Sequence, residues 1–193
     1  MDKKQQAIQA AIELFATQGF EKTSIAQVCE TAKVSKGLVF HHFKNKDDLL
    51  RQVFVRMAEI ISEVGESVDQ SSEGMSVKER FINLIEHIFL SMSDPQQKRF
   101  YQLDYQLKCQ PSTRLILKDL LDERYQLMVH SFEVILCDVP NANSIVDSHM
   151  LIADIDGIAL NYLFSDGDYP LEQIKERFIA CLLYTSDAAD DTC

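Results

Sequence analysis

The segment from Ile25 to Lys46, IAQVCETAKVSKGLVFHHFKNK, carries the clearest local signal in this 193-residue chain. Ser24, followed three residues later by Gln27, has the spacing of a capping box and predicts the start of a helix. Ser35 is a favourable N-cap for a second short helix, Lys36 to His42, because its hydroxyl can accept a hydrogen bond from a free backbone N–H. Two short helices joined by a turn of three or four residues form the helix-turn-helix arrangement.

The second predicted helix carries side chains suited to the major groove, where such helices bind DNA. Lys36 can meet a phosphate or a guanine edge, His41 and His42 can donate to phosphates or bases, and Gly37 lets the backbone come close. Lys46 falls in the first turn of the following helix, where free N–H groups and the helix dipole favour an anion. A helical hairpin with a solvated cationic face would show the same pattern, and these residues alone leave that alternative open.

Charge is divided unevenly along the chain. The net charge is −11, yet residues 1–46 hold seven lysines and four acidic residues, a net +3 that leaves −14 for the remainder. A basic head on an acidic body orients the head toward a polyanion and keeps the body away from it. Chance clustering in an acidic protein would give the same count, so charge supports a nucleic-acid partner without establishing one.

Several short motifs surround the predicted helix-turn-helix: Leu14-Phe15, Gly19-Phe20, Thr23-Ser24-Ile25-Ala26, Val34-Ser35-Lys36-Gly37 and Phe40-His41-His42-Phe43-Lys44-Asn45-Lys46. Together they resemble the N-terminal domain of the TetR family of bacterial transcriptional regulators, over residues 1–50. One position departs from the family, which usually has Tyr where this chain has Phe40; Phe40 keeps the packing and loses the hydroxyl that commonly reaches a phosphate.

The residue types and the resemblance together define a set of candidate DNA contacts in the head of the chain. Phe40 ranks below its neighbours in this set because it lacks a polar group. The candidates are Thr23, Ser24, Ser35, Lys36, Gly37, Leu38, Phe40, His41, His42 and Lys46.

Apolar residues continue at helical spacing through the rest of the chain, and no strand pattern or repeat occurs. A first helix is expected from Lys3 to Thr17, a long one from Asp47, and another from Pro111 to Leu136. The predicted fold is all-α. An N-terminal three-helix domain with the helix-turn-helix (1–46) precedes a helical domain (47–180) that, by the resemblance, binds an effector and dimerises.

The last thirteen residues do not fit this pattern. From Cys181, the sequence CLLYTSDAADD loses the amphipathic spacing and looks like the translation of a transposase adapter used in sequencing libraries. Residues 181–193 are therefore expected to be a non-native tail, with a genuine disordered acidic tail as the alternative.

The segment from Ser144 to Ser165 is apolar around more of its circumference than a surface helix, so it must be buried. It can form the core of its own domain, or a four-helix interface with the last helix and the same pair from a second copy, as the resemblance implies. We favour the homodimer, which would hold two reading helices about 34 Å apart for a palindromic site in double-stranded DNA. The expected interface residues are Ile152, Ile155, Ala159, Leu163, Ile174 and Phe178.

The resemblance also implies a small-molecule effector that enters the helical body and moves the two heads out of register with the operator. An apolar or aromatic compound is expected, and the acidic body would suit a cation equally well. Aromatic and Met positions at helical spacing are more often plain core than ligand contacts. The candidate lining residues are Phe81, His87, Phe89, Tyr101, Tyr105, Tyr125, Met128 and His130.

Other classes of function find little support. There is no Gly-rich phosphate loop and no HExxH, and five scattered cysteines read as small buried hydrophobes, so no catalytic residue, metal or cofactor is expected. No apolar run is long enough for a bilayer and no secretory start is present, which predicts a cytoplasmic protein. The expected function is a repressor released from its operator by an effector. The alternatives are a nucleoid-occlusion-type protein of the same fold that binds a partner protein, or a helical enzyme.

Overall fold

The computed structural model describes residues 2–71, 74–137 and 143–187, with side chains described except at 61–71, 96 and 183–187. These residues form helices and turns and no strand, which confirms the all-α prediction. In chain order the helices are α1 (Lys3–Gln18), α2 (Ile25–Ala32), α3 (Lys36–His42), α4 (Lys46–Ser71), α5 (Val77–Ser93), α6 (Pro95–Cys109), α7 (Pro111–Ile116), α8 (Lys118–Leu136), α9 (Ser144–Leu163) and α10 (Leu171–Asp187).

Short capping signals set the beginnings of the first helices. Asp2 accepts a hydrogen bond from the Gln5 N–H at 2.8 Å and caps α1. Ser24 forms a complete capping box with Gln27 at the start of α2. Gly19, at a φ of 87°, ends α1 in a region of backbone space that favours glycine. The predicted first helix and both helices of the helix-turn-helix are therefore confirmed.

The chain divides into two compact units, and the first consists of residues 1–61 and 99–122. Its core joins the apolar faces of α1 to α3 to the first half of α4 and to one side of α6. Leu103, Leu107 and Leu117, at most 2% exposed, belong to the same cluster as Phe15 and Phe43. The hydrophobic core that supports the helix-turn-helix thus extends well beyond Lys46.

The second unit consists of residues 62–98 and 123–193. Buried residues of α5, α8 and α9 form its apolar interior, and Phe89 on α5 meets Phe178 on α10 at 6.1 Å between ring centroids. Within the described ranges, no helix has the length and apolar content needed to cross a membrane.

The segment after Pro111 was predicted as one helix and is two, because the backbone turns at Leu117 (φ −101°, ψ 4°). Leu117 is fully buried, and Arg51 Nη1 donates to the Ile116 carbonyl at 2.9 Å. A continuous helix would offer that carbonyl to the N–H of Leu120. A side chain from α4 therefore occupies an acceptor that the helix would otherwise use.

Asn143 caps α9, since its side chain accepts from the Val146 N–H. The expectation for the cysteines is corrected. Of the cysteines whose side chains the structure describes, only Cys29 is buried. The others, Cys109, Cys137 and Cys181, are exposed. Helix α10 continues to Asp187, past the predicted start of the tail at Cys181, and residues 188–193 lie outside the described part of the chain.

Candidate nucleic-acid interface

Helix α3 is held by one face and leaves the other open. The Ser35 hydroxyl accepts from the Leu38 N–H at 3.2 Å and caps the helix. Val39 within α3 and Phe43 just after it are 1% exposed and anchor the helix in the core of the first unit. The face opposite Val39 is thereby free to meet a partner.

The open face carries a cation, an aromatic ring and two imidazoles. Lys36 Nζ lies 5.7 Å from the centroid of the Phe40 ring, and that ring is 49% exposed. His41 and His42 are exposed, with their ring centroids 5.1 Å apart in an edge-to-face arrangement. This set combines hydrogen-bond donors with apolar surface, which are the groups that read base edges and thymine methyls in the major groove.

Gly37 lies at the start of α3, on its exposed side. A Cβ atom built there would meet no heavy atom of the protein within 4 Å. The protein's own packing therefore does not require glycine at this position, whereas close approach of a DNA backbone or base would.

Lys46 is half-buried at the beginning of α4. Its Nζ atom lies 4.2 Å from the centroid of the Phe20 ring and donates to the Glu21 carbonyl at 3.2 Å. An ammonium group has three N–H donors, so this bond leaves capacity for a phosphate oxygen. Lys46 thus ties α4 to the turn between α1 and α2 while keeping its charge at the surface of the head.

Thr23 does not present its side chain to a partner, contrary to the sequence prediction. It is 2% exposed, its hydroxyl donates to the Gly19 carbonyl at 2.9 Å, and it accepts from Gln18 at 3.2 Å. The buried hydroxyl closes the turn before α2. Ser24 is exposed, as predicted, and Leu38 is half-buried.

Sequence reasoning overlooked two residues that shape the head. Lys33 adopts a left-handed conformation (φ 53°, ψ 45°) at the end of α2, and its N–H donates back into that helix. Glu21, in the turn between α1 and α2, accepts a hydrogen bond from the Ser112 hydroxyl at 2.7 Å. A contact between residues 91 positions apart leaves no local signal in a sequence.

The candidate effector residues fall in both compact units. Tyr101 and Tyr105 belong to the first unit and the other six to the second. Phe89 is buried against Phe178 as ordinary core. His130 is exposed, near Glu133, and this removes it from the lining of an enclosed site.

Two more of these candidates have contacts of their own. The Tyr125 hydroxyl lies 2.7 Å from Nδ1 of His149 at the surface of the second unit. His87 Nδ1 lies 2.9 Å from the Asn83 carbonyl of its own helix. Phe81 and Met128 are half-buried.

The predicted dimer residues on α9 face the interior of their own unit. The four are at most 8% exposed, so they form the core of one copy and do not offer a surface to a second: Ile152, Ile155, Ala159 and Leu163. On α10, Ile174 and Phe178 are half-buried, the latter against Phe89.

A different stripe of α9 is apolar and exposed. Its members follow one another at spacings of four, three, four, three and four residues, which is the heptad pattern of a helix–helix seam. A Cβ built at the glycine in its middle would meet nothing within 4 Å. We call this set the α9 seam: Val146, Met150, Ala153, Gly157, Leu160 and Phe164.

Comparison with known proteins agrees with the geometry of the head. Residues 7–53 match the family model described as bacterial regulatory proteins, tetR family. The HTH-type transcriptional regulator HbdR of Aromatoleum sp. (strain CIB) is 33% identical over 75 residues, which cover 39% of this chain and 31% of HbdR. The fatty acid metabolism regulator protein of Bacillus subtilis (strain 168) is 22% identical over 190 residues, covering 94% of both chains.

Solved structures extend the likeness to the whole fold. A transcriptional regulator from Rhodococcus sp. Rha1 superposes with a TM-score of 0.79 at 20% identity, over 95% of this chain and 97% of that one. FadR from Bacillus subtilis in complex with stearoyl-CoA gives 0.70 at 21% identity, over 92% and 96%. The multidrug binding protein EbrR complexed with malachite green gives 0.69 at 20%, over 91% and 95%. Residues 7–53 thus match the TetR family of bacterial regulatory proteins, and the likeness of the whole chain to the solved structures is a likeness of fold.

Proposed function

We propose that this protein is a dimeric DNA-binding transcriptional regulator, a repressor that leaves a palindromic operator when a small-molecule effector binds. The observation that carries the proposal is the exposed face of α3, where Lys36, Phe40 and His41 surround a glycine that the protein's own packing does not need. Phosphate contacts from Ser35, at the N-terminus of α3, and from Lys46 would position that face in the major groove.

The α9 seam supports a homodimer. Exposed apolar surface at heptad spacing is the kind of surface that a partner helix covers. A two-fold axis through the seam would make the same stripe meet itself in both copies, as an isologous interface requires. The two α3 helices would then address two half-sites of inverted sequence.

An apolar effector is supported by two of the structural relatives. FadR holds stearoyl-CoA and EbrR holds malachite green, and both share the fold of this chain. Within the second unit, the half-buried side chains of Phe81 and Met128 offer apolar surface, the usual lining of a small-molecule site. Release requires that the effector bind the DNA-free conformation more tightly than the DNA-bound one.

Selection of bound fragments from random DNA, followed by sequencing, tests the proposal. The expected product is an inverted repeat with half-site centres about 34 Å apart or a multiple of that distance. Lys36→Gln should abolish the enrichment, whereas Lys118→Gln, which removes the same charge from the first turn of α8, should keep it. Failure to enrich any sequence would overturn the proposal.

The distribution of sites in a genome separates a repressor from a nucleoid-occlusion-type protein of the same fold. One or two sites beside the protein's own gene favour a repressor. Many sites spread across a chromosome favour the alternative.

A further inference from the structure

Glu21 is the point at which three separate elements of the first unit meet. Its backbone carbonyl accepts from Lys46 Nζ at 3.2 Å, at the start of α4. Its carboxylate accepts from the Ser112 hydroxyl at 2.7 Å, in the first turn of α7. The short turn between α1 and α2 is thus bonded to two segments that lie 25 and 91 residues further along the chain.

The other end of the α7 segment is bonded to α4. The Nη1 and Nη2 atoms of Arg51 each donate to the Asp119 carboxylate at 2.6 Å, and Nη1 also donates to the Ile116 carbonyl at 2.9 Å. Two-point pairing of this kind restricts orientation as well as distance. Leu117 lies between these contacts in the sequence, and its side chain is buried in the core of the first unit.

A buried hydroxyl holds the turn between α6 and α7. The hydroxyl of Thr113, a residue with no exposed surface, donates to the carbonyls of Leu107 at 2.8 Å and Gln110 at 3.1 Å. These bonds join the end of α6 to the start of α7. A displacement of α6 would therefore be passed to Ser112 instead of being absorbed in the α6–α7 turn.

We infer that Glu21 and Ser112 are positioning residues that connect α7 to the helix-turn-helix and set the orientation of the reading helix. The chain passes between the two units within α4, α6 and α8, after residues 61, 98 and 122. A shift of α6, whose residues 95–98 belong to the second unit and the rest to the first, would reach α7 through the Thr113 bonds, and the Glu21–Ser112 bond would carry it to the α1–α2 turn. The inference rests on the proposed DNA-binding function and names the route by which its regulation reaches the head.

A double-mutant cycle tests the connection on the full chain, with the operator obtained by selection. Ser112→Ala should lower operator affinity about two- to thirty-fold, the range expected for residues on a coupling route. In a Glu21→Ala background the same substitution should have no effect, because the hydroxyl has lost its acceptor. This comparison cancels the separate effect of removing an acidic residue near DNA. An equal loss in both backgrounds, or no loss in either, would overturn the inference.

Three further measurements separate positioning from a direct DNA contact or a loss of fold. The slope of log affinity against log salt should stay unchanged in Ser112→Ala, because no phosphate contact is removed. Ser112→Thr keeps a hydroxyl and should restore affinity, whereas failure to restore it would count against the bond. The midpoint of urea unfolding should be unchanged in every variant, and a fall that parallels the affinity loss would assign the residues a purely structural role.

Amide hydrogen exchange gives a readout that does not depend on DNA. In the parent chain, Ser112→Ala should speed the amide exchange of residues 19–23. In the Glu21→Ala variant, the same substitution should leave that exchange rate unchanged. If the parent chain bound no DNA at all, the proposed function would fail while this exchange result still decided the connection. Equal exchange in the parent and in Ser112→Ala would overturn it.

Discussion

The packing of the protein itself does not require glycine at position 37. A Cβ there would meet no protein atom within 4 Å, so alanine fits the folded chain and gains up to about 1 kcal/mol of helix propensity. Gly37→Ala is therefore expected to preserve or raise the free energy of unfolding while lowering operator affinity about tenfold, the scale of one lost base contact. Gel-shift titration and urea unfolding measure the two effects.

A matched control exists in the second unit. Gly167 also has open space at its Cβ position, and Gly167→Ala makes the same chemical change far from the head in sequence. It should leave operator affinity unchanged. Equal affinities of Gly37→Ala and the parent chain would show that DNA does not approach the backbone at α3.

Lys46 has a contact with Phe20 and a positive charge, and substitutions can separate the two. Lys46→Ala removes both the charge and the packing on Phe20, whereas Lys46→Met keeps an apolar side chain of similar length. Both should weaken binding to all DNA sequences alike and flatten the salt slope by about one charge. Only Lys46→Ala should also remove the packing of this side chain against the Phe20 ring. An unchanged salt slope would remove Lys46 from the phosphate contacts.

His41 is exposed on the open face of α3 and can donate to a base or to a phosphate. If it reads a base, His41→Ala should weaken binding to the selected operator more than binding to random DNA. Fluorescence anisotropy with both duplexes measures the ratio. Equal losses on the two duplexes would make His41 a phosphate contact only.

At the scale of elements, the ion pair between α4 and the start of α8 gives the first unit a pH dependence. Hydrogen bonds from Arg51, aided by its charge, hold the pKa of Asp119 at about 2, below its ordinary value of 3.8. A carboxyl whose pKa is lowered in the folded state stabilises it above the unfolded pKa and loses that contribution as pH falls through the folded pKa. Asp119→Asn should therefore be less stable than the parent at neutral pH, and the difference should shrink between about pH 4 and pH 2.

Urea unfolding at a series of pH values checks this expectation. Asp122→Asn is the control, since Asp122 is an exposed carboxylate one turn further along α8, paired with Lys118 of its own helix. A stability difference between Asp119→Asn and the parent that stayed constant from pH 7 to pH 2 would show that the carboxylate charge of Asp119 contributes nothing.

At the scale of the whole molecule, the α9 seam predicts how two copies assemble. Gly157 has open space at its Cβ in the single chain, so Gly157→Leu should not destabilise the helix. In a dimer, the larger side chain would keep the two seams apart and raise the dissociation constant about tenfold or more. Sedimentation velocity over a range of concentrations measures this shift.

Operator binding should weaken together with dimerisation in this variant, because a single head meets one half-site. Gln126→Leu, at an exposed position of α8, serves as the control and should leave association unchanged. A Gly157→Leu protein that associates as strongly as the parent would exclude the seam as the interface.

Local signals in the sequence were sufficient to predict the helix-turn-helix formed by α2 and α3. Ser24 and Ser35 cap α2 and α3 as predicted, and the predicted bounds of α3 agree with the structure, because caps and helical periods act over three or four residues. The Ser76–Glu79 capping box at the start of α5 follows the same rule. The family resemblance covered the same region, where motif spacing is dense.

Packing between residues distant in sequence decided the structural features that could not be predicted from the sequence. At the break before α8, the Ile116 carbonyl accepts a hydrogen bond from Arg51, which lies 65 residues earlier in the chain. Helix α9 is apolar nearly all round, so its periodicity offers no contrast between an inward and an outward stripe. Only the tertiary structure buries Ile152 and its neighbours and leaves the seam that contains Gly157 exposed. A pattern of three to seven residues shows which positions of a helix are apolar. Which of its faces is buried depends on residues that are distant in sequence.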